Sequence, residues 1–556
     1  MTTRIWRTRL VLGWALAPAL SAWAAPPTEP GPTWAYRVQP GDTLISVAQR
    51  HLVRPANWPA LQRLNRVEQP RRLAIGRELQ IPLAWMPQVA TVAEVAFVFG
   101  QVLLRGDGGA GTTTERPLTM GDQLKARDVI RTAAASSATL RFADGSRLLV
   151  AADSEVRIDQ LLSVGRPALP AVQLQLQRGS AEAQVAPAPP GRRFEINTPA
   201  LNLGVRGTAF RTQVDEKGGQ TRLEVLSGRV ETQAGNARVR VDAGMGSVAQ
   251  SGQAPGAPQT LTVAPALQPV AARLDRLPLQ FSWPALAGAQ GYRAQVLQGP
   301  QKDQLLLDGR FAQPVAKWAD LPDGNYTLRV RGVDDQGLEG RDAEQTFTLK
   351  ARPEPPLVSM PAQGARLYGE TATFAWARVA AAARYHLQVS SRADFGDTAY
   401  DNAQLLAPQA ELTLPPGAYF WRVASIATTA AGQADPGPFG DAQNFTQRAE
   451  PASPAMQSPQ VGPQGIELRW QQPAAGQRVR FQVARDEAFL QIVQDQTTEQ
   501  ATVLIGNPTP GHYFVRARTI DADGFEGRFG APQQVEVPQD QPWWLLLPLG
   551  LLLLAL

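Results

Sequence analysis

Across residues 92–250, apolar and polar side chains alternate with a period of two, in short runs broken by glycine. Ala138-Thr-Leu140-Arg-Phe142 runs into Asp144-Gly145, and Arg222-Leu-Glu-Val-Leu226 runs into Gly228. Such alternation predicts strands with one buried face, and an Asp-Gly pair between two such runs predicts a tight hairpin. The alternation continues after Pro265, now with a long period. Trp283, Trp376 and Trp470 lie 93 and 94 residues apart, and each is followed 43 residues later by Tyr326, Tyr419 or Tyr513. Short alternating runs around Tyr292, Tyr385 and Val479 fall between them. The pattern predicts three β-sandwiches of one kind, over 266–350, 355–448 and 455–538, each with a core Trp and a strand-leading Tyr. Proline-rich stretches at 352–356 and 451–454 mark the linkers.

Residues 34–83 differ. Two strand-like pieces, 36–38 and 78–81, bracket two helical stretches. The first helix follows Asp42 and Thr43, whose oxygens can cap it, and turns Leu44, Val47 and Ala48 to a core. The second carries Leu61 and Leu64 and ends near Asn65. Eight Arg against Asp42, Glu68 and Glu78 give this segment a charge near +5.

The ends are apolar. Arg4, Arg7 and Arg9 precede an apolar run over 10–20 and then Ala22-Trp23-Ala24, the three-part pattern of a cleaved secretory signal over 1–24. Residues 543–556 (WWLLLPLGLLLLAL) carry no charge. As a helix they would cover about 21 Å, short of a bilayer core, with the paired Trp suited to an interface. Membrane contact through this tail is expected.

Composition narrows the chemistry. Gly 48 and Pro 47 suit a multidomain, mainly β chain with many turns. Of 54 basic residues only 5 are Lys, and removing residues 1–24 leaves about 51 basic against 49 acidic side chains. No basic run tracks phosphates, so nucleic acid is not an expected partner. Cysteine is absent, which excludes disulfides, thiol nucleophiles and Cys-ligated zinc. His51, His386 and His512 fall in three different predicted domains. No metal site, catalytic triad or cofactor is expected, and no segment carries an enzyme's pattern. The Gly-rich run 106–112 lacks the Lys of a phosphate loop and is expected to be a hairpin loop.

Several motifs resemble known families. Tyr36-x-Val38-x-x-Gly41-Asp42-Thr43-Leu44, Val47-Ala48, Leu64-Asn65, Leu73-x-Ile75-Gly76 and Leu79-x-Ile81-Pro82 resemble the LysM family in order and spacing. That resemblance implies a βααβ fold over 34–83 and a shallow groove for N-acetylglucosamine-containing glycan. It places Gly41, Asp42, Thr43 and Leu44 on one side of the groove and Leu73, Ala74, Ile75 and Gly76 on the other. Gly41-Asp42-Thr43 would serve equally as a turn and helix cap. Pro55-Ala-Asn-Trp58-Pro59 departs from the commonest form of the connection between the helices.

Asp128-x-Ile130-Arg131-Thr132, Phe142-x-Asp144-Gly145-Ser146, Gly179-Ser180, Val205-Arg206-Gly207-Thr208-x-Phe210 and Val225-x-x-Gly228-x-Val230 resemble the FecR domain, here spanning 92–252. Arg206-Gly207-Thr208 is expected to be a glycine-enabled bend with a buried Arg. The C-terminal repeats look like fibronectin type III domains. Together the resemblances imply an exported, non-catalytic protein of the periplasm and cell envelope. It would bind peptidoglycan through LysM, with FecR and the sandwiches as scaffold or protein-contact modules. A FecR-type signalling component is the alternative, and a wall hydrolase a weaker one.

Overall fold

The computed structural model describes residues 33–107, 113–165, 169–187, 193–205 and 207–539. The expected signal segment 1–24, the apolar tail 543–556 and Arg206 lie outside the described residues. The chain divides into two compact units at Lys350/Ala351. It is mainly β, with a small βααβ region at its N-terminal end, as the alternation predicts.

In the first unit, β1 (Thr33–Arg37) pairs antiparallel with β2 (Glu78–Pro82), setting Trp34 opposite Ile81 and Tyr36 opposite Leu79. Between them run α1 (Leu44–His51) and α2 (Trp58–Leu64). The proline-bearing connection forms a 3-10 turn, Pro55–Asn57, that leads directly into α2. Leu44, Val47, Ala48, Leu61, Leu79 and Ile81 fill the centre, all of them fully buried. This core does not close on itself. Leu83 and Met86 carry it onward to Val164, Leu169 and Ala171 of the next domain. The βααβ unit is therefore packed on its neighbour, a contact that the linker composition does not announce.

Strands between Gln88–Ala90 and Gln259–Thr260 form one closed hydrogen-bonded circuit, with cross-pairings that divide it into two sheets. The Asp144-Gly145 hairpin is present, joining Ser137–Phe142 to Arg147–Val150. Gly145 takes φ +82°, and the Asp144 carboxylate accepts from the Ser146 N–H at 2.9 Å. Val102–Asp107 and Thr113–Pro117 pair as a hairpin around the Gly-rich run. Residues 108–112 of that run are outside the described set.

The long strand Leu169–Gln184 belongs to both sheets. Before Gly179 it pairs with Glu155–Val164 and Arg193–Asn197; from Gly179 it pairs with Arg147–Val150 and Ala209–Val214. Gly179 has φ +84°, and a Cβ there would lie 2.2 Å from Ser154 Oγ and 2.5 Å from its Cα. Backbone conformation and space both demand glycine. Gly179→Ala is expected to cost about 1–3 kcal/mol, from strain at positive φ and from overpacking. The urea midpoint of the intact chain would report it, and an unchanged midpoint would contradict the close approach. Gly228 (φ +75°) likewise carries the chain from Gln220–Ser227 in one sheet to Arg229–Ala234 in the other.

The first sandwich has a five-stranded sheet ordered Arg273–Leu274, Ala343–Leu349, Gly324–Val333, Gly291–Gln298, Gln304–Phe311. Its outward face lies on the middle domain. Leu297 and Leu305 pack with Leu149 and Ala151. Arg331 reaches Glu182 at 2.7 Å, Arg329 reaches Glu182 at 3.1 Å, and Arg211 reaches Asp342 at 2.8 Å.

The second unit holds the other two sandwiches, built from three-stranded sheets facing sheets of six and four strands. Trp283, Trp376 and Trp470 are buried in their three cores. Tyr326, Tyr419 and Tyr513 each donate a hydroxyl hydrogen bond to the carbonyl four residues back, at 2.7, 3.0 and 2.8 Å. This is the tyrosine corner of such sandwiches. These aromatic side chains are core, as expected. Between the two sandwiches Tyr368 stacks on Phe525, ring centroids 3.9 Å apart, and donates to Asp521 at 2.6 Å.

Candidate glycan-binding site

The loop after β1 turns at Gly41, where φ is +85°. Asp42 follows, and its carboxylate points into the fold with only 3% of the side chain exposed. It accepts hydrogen bonds from the Tyr36 hydroxyl at 2.5 Å, the Gln39 N–H at 2.8 Å and Arg50 at 3.0 Å. Burial pushes this carboxyl up, but those three donors outweigh it and hold the group below its ordinary range. The Tyr36 hydroxyl is raised, first by burial and then by its bond to Asp42. Thr43 caps α1: its Oγ1 accepts from Ser46 N–H at 3.0 Å, and Ser46 Oγ accepts from Thr43 N–H at 2.9 Å. Leu44 is fully buried.

The second loop precedes β2. Leu73 is half-buried against the core, Ala74 is exposed, and Ile75 is 71% exposed. Gly76 has φ +82°. Two backbone bonds hold the loops side by side, from Leu44 N–H to Pro70 O at 2.8 Å and from Gly76 N–H to Val38 O at 2.9 Å. Seven of the eight residues singled out by the motif thus lie on two adjoining loops, and the eighth, Leu44, opens α1. Their roles differ, however. The side chains of Asp42 and Leu44 face inward, so those residues can offer a ligand only backbone. Ala74 and Ile75 present side chains outward.

Sequence reasoning missed Arg50, which reaches across one helical turn and more to fix Asp42. The i, i+8 spacing on one loop and helix was the available signal. Asp42→Ala is expected to destabilise this domain by about 2 kcal/mol, since it strands the Tyr36 hydroxyl and the Gln39 N–H. Thermal unfolding at neutral pH tests this, with no change in midpoint the contrary result.

The two loops offer a ligand turn backbone and the exposed Ala74 and Ile75 side chains. Asp42 is committed to structure, and among the described residues no three His, Asp or Glu side chains gather as a metal site. His51 packs between Trp34 and Tyr36, each ring centroid 5.0 Å away.

A family model for the LysM domain matches residues 36–82, and one for the FecR protein matches residues 128–231. The chain carries a LysM domain and a FecR domain. No curated protein matches the chain. Two crystal structures of a protein assigned as an anti-sigma factor from Parabacteroides distasonis are similar at 14% identity and TM-score 0.20. The match covers 24% of this chain and spans 59% of theirs. The chicken CNTN1 FN1–FN3 domains match at 14% identity and TM-score 0.23, covering 50% of this chain and 99% of theirs. LysM and FecR are binding and signalling modules typical of cell-envelope proteins. Among the described residues no helix is long and apolar enough to cross a membrane.

Proposed function

We propose that this chain is a non-catalytic cell-envelope protein that holds peptidoglycan through its LysM domain, with FecR and the three sandwiches as scaffold and protein-contact modules. The observation that carries the proposal is the pair of adjoining loops in LysM, locked by the Leu44–Pro70 and Gly76–Val38 bonds, with Ile75 projecting from them. Backbone groups at such turns suit an N-acetyl group, and an exposed isoleucine suits its methyl and a sugar face.

The test is a pull-down of the intact protein on purified peptidoglycan sacculi, comparing wild type with Ile75→Asp. Because Ile75 is exposed, this change leaves the fold intact; it places a charge on the sugar-facing surface. Binding is expected to weaken about tenfold or more. Equal binding by the two proteins would overturn the assignment. Deleting residues 34–83 is a poorer test, since it uncovers Val164, Leu169 and Ala171 on FecR. The same incubation is expected to release no muropeptides; their release would favour a hydrolase.

A further inference from the structure

The first and third sandwiches carry the same polar sheet face. In the first, Arg293 chelates Asp308 at 2.9 and 2.6 Å and reaches Glu339 at 2.8 Å, while Arg331 meets Glu339 at 2.5 Å. In the third, 187 residues further along (293 to 480), Arg480 chelates Asp495 at 2.7 Å through both nitrogens and reaches Glu526 at 3.3 Å. Arg518, at the position of Arg331, pairs with Glu526. The strand irregularity is repeated as well. A bulge sets Leu297 opposite Leu305 in the first sandwich, and another sets Ala484 opposite Ile492 in the third. The second sandwich has His386 and Ala424 at the two arginine positions, so the face is not a requirement of the fold.

What covers the two faces differs. On the first, FecR supplies Glu182 to Arg331 and Arg329, and Leu149 and Ala151 to Leu297 and Leu305. The side chains of Arg331 and Glu339 are accordingly 1% and 3% exposed. On the third, Arg480 is 32% and Glu526 37% exposed, and Ile492 and Val493 stand open beside them. Arg516, the counterpart of Arg329, lies between Phe489 and Phe529, its guanidinium 3.9 and 4.3 Å from the ring centroids. An arginine fixed this way loses little freedom when it meets a carboxylate.

We infer that this face of the third sandwich is a docking surface for a FecR-type β domain on another protein molecule. That domain presents a carboxylate to Arg516 and Arg518, as Glu182 does to Arg329 and Arg331, and small apolar side chains to Ile492. The match has one departure. Phe529 stands where the first sandwich has Asp342, the partner of Arg211. At that point the docked domain meets a ring instead of a carboxylate.

The experiment uses full chains and takes this protein's own FecR domain as the probe. In the probe chain, Arg293→Glu and Arg331→Glu release the first sandwich from FecR, and Arg516→Glu and Arg518→Glu silence its own third face. Immobilised wild-type chain is expected to bind this probe. A bait carrying Arg516→Glu and Arg518→Glu should bind it roughly 30-fold more weakly or worse. A probe without the two first-sandwich changes should not bind, because its FecR face stays covered. Hydrogen exchange in strand Leu169–Gln184 reports whether FecR stays folded in the probe. If protection there is lost, Arg331→Ala replaces the two first-sandwich changes. Equal binding to both baits overturns the inference, as does absence of binding by a probe whose FecR strands remain protected.

Discussion

Arg331→Ala is expected to destabilise the first unit by about 3–5 kcal/mol, the cost of stranding buried charges in a paired network. Arg331 is buried between FecR and the first sandwich and spends its whole guanidinium there. It donates to Glu182 at 2.7 Å, to Glu339 at 2.5 Å, and to Asp342 and Gln295 at 3.1 Å each. Burial alone would lower its proton affinity, but Glu339, Glu182 and Asp342 raise it well above the ordinary value. Removing the fork takes from Glu182 its strongest partner and leaves Glu339 held mainly by Arg293. Lysine restores one charge without the geometry and should recover only part of the loss. Methionine, which fills the volume but leaves both carboxylates, should behave like alanine. Urea unfolding of the intact chain checks this. With two compact units, separate transitions are expected, and only that of the first unit should move. An unchanged first transition would show that the network contributes nothing to the joint.

Much of this fold was legible because period-two alternation reports one-sided burial directly. Asp144-Gly145 announces its hairpin, and the recurring Trp and Tyr announce three sandwiches. The LysM loops were legible from Gly41 and Gly76, which both take positive φ. The joints between domains were not. Arg293 and Arg331 sit at outward positions of a strand, where a charged residue ordinarily means solvent. Nothing local distinguishes Arg331, which is buried, from Arg518, whose side chain is 19% exposed. The difference lies in Glu182, 149 residues away in the chain. Asp42 illustrates the same limit within one domain. Its position suggested a cap or a ligand contact, but the helix is capped by Thr43 and the carboxylate serves Tyr36, Gln39 and Arg50. Side-chain direction at a turn is set by partners that the pattern does not name.

Glu224→Gln is expected to leave stability unchanged near pH 4 and to raise it by about 3 kcal/mol near pH 9, each tenfold change in proton affinity on folding being worth ~1.4 kcal/mol. Glu224 is buried at the same joint, where its Oε1 accepts from the Glu339 N–H at 3.1 Å. Burial, and then the negative charge of Glu339, push its carboxyl up from 4.5 to about 7, against the pull of Arg211 and Arg331. A carboxyl raised on folding favours the native state while it is protonated. Its contribution is complete below about pH 4.5 and is lost as pH rises through about 7. Glutamine keeps the acceptor oxygen and cannot ionise, so the variant escapes the alkaline loss. Glu182 and Glu339 work in the opposite direction. Burial would raise both, but the surrounding arginines, Arg331 and Arg293 foremost, hold them below the ordinary range. They stabilise above their unfolded pKa, and their contribution fades as the solution becomes strongly acidic. The joint between FecR and the first sandwich is therefore firmest in mildly acidic solution, weakening on the alkaline side through Glu224 and on the acid side through Glu182 and Glu339. Urea midpoints of wild type and Glu224→Gln, measured across that range, should coincide below about pH 4.5, diverge as the pH rises from there to about 7, and stay apart above it. Parallel curves would show that Glu224 is ionised throughout or carries no burden in the fold.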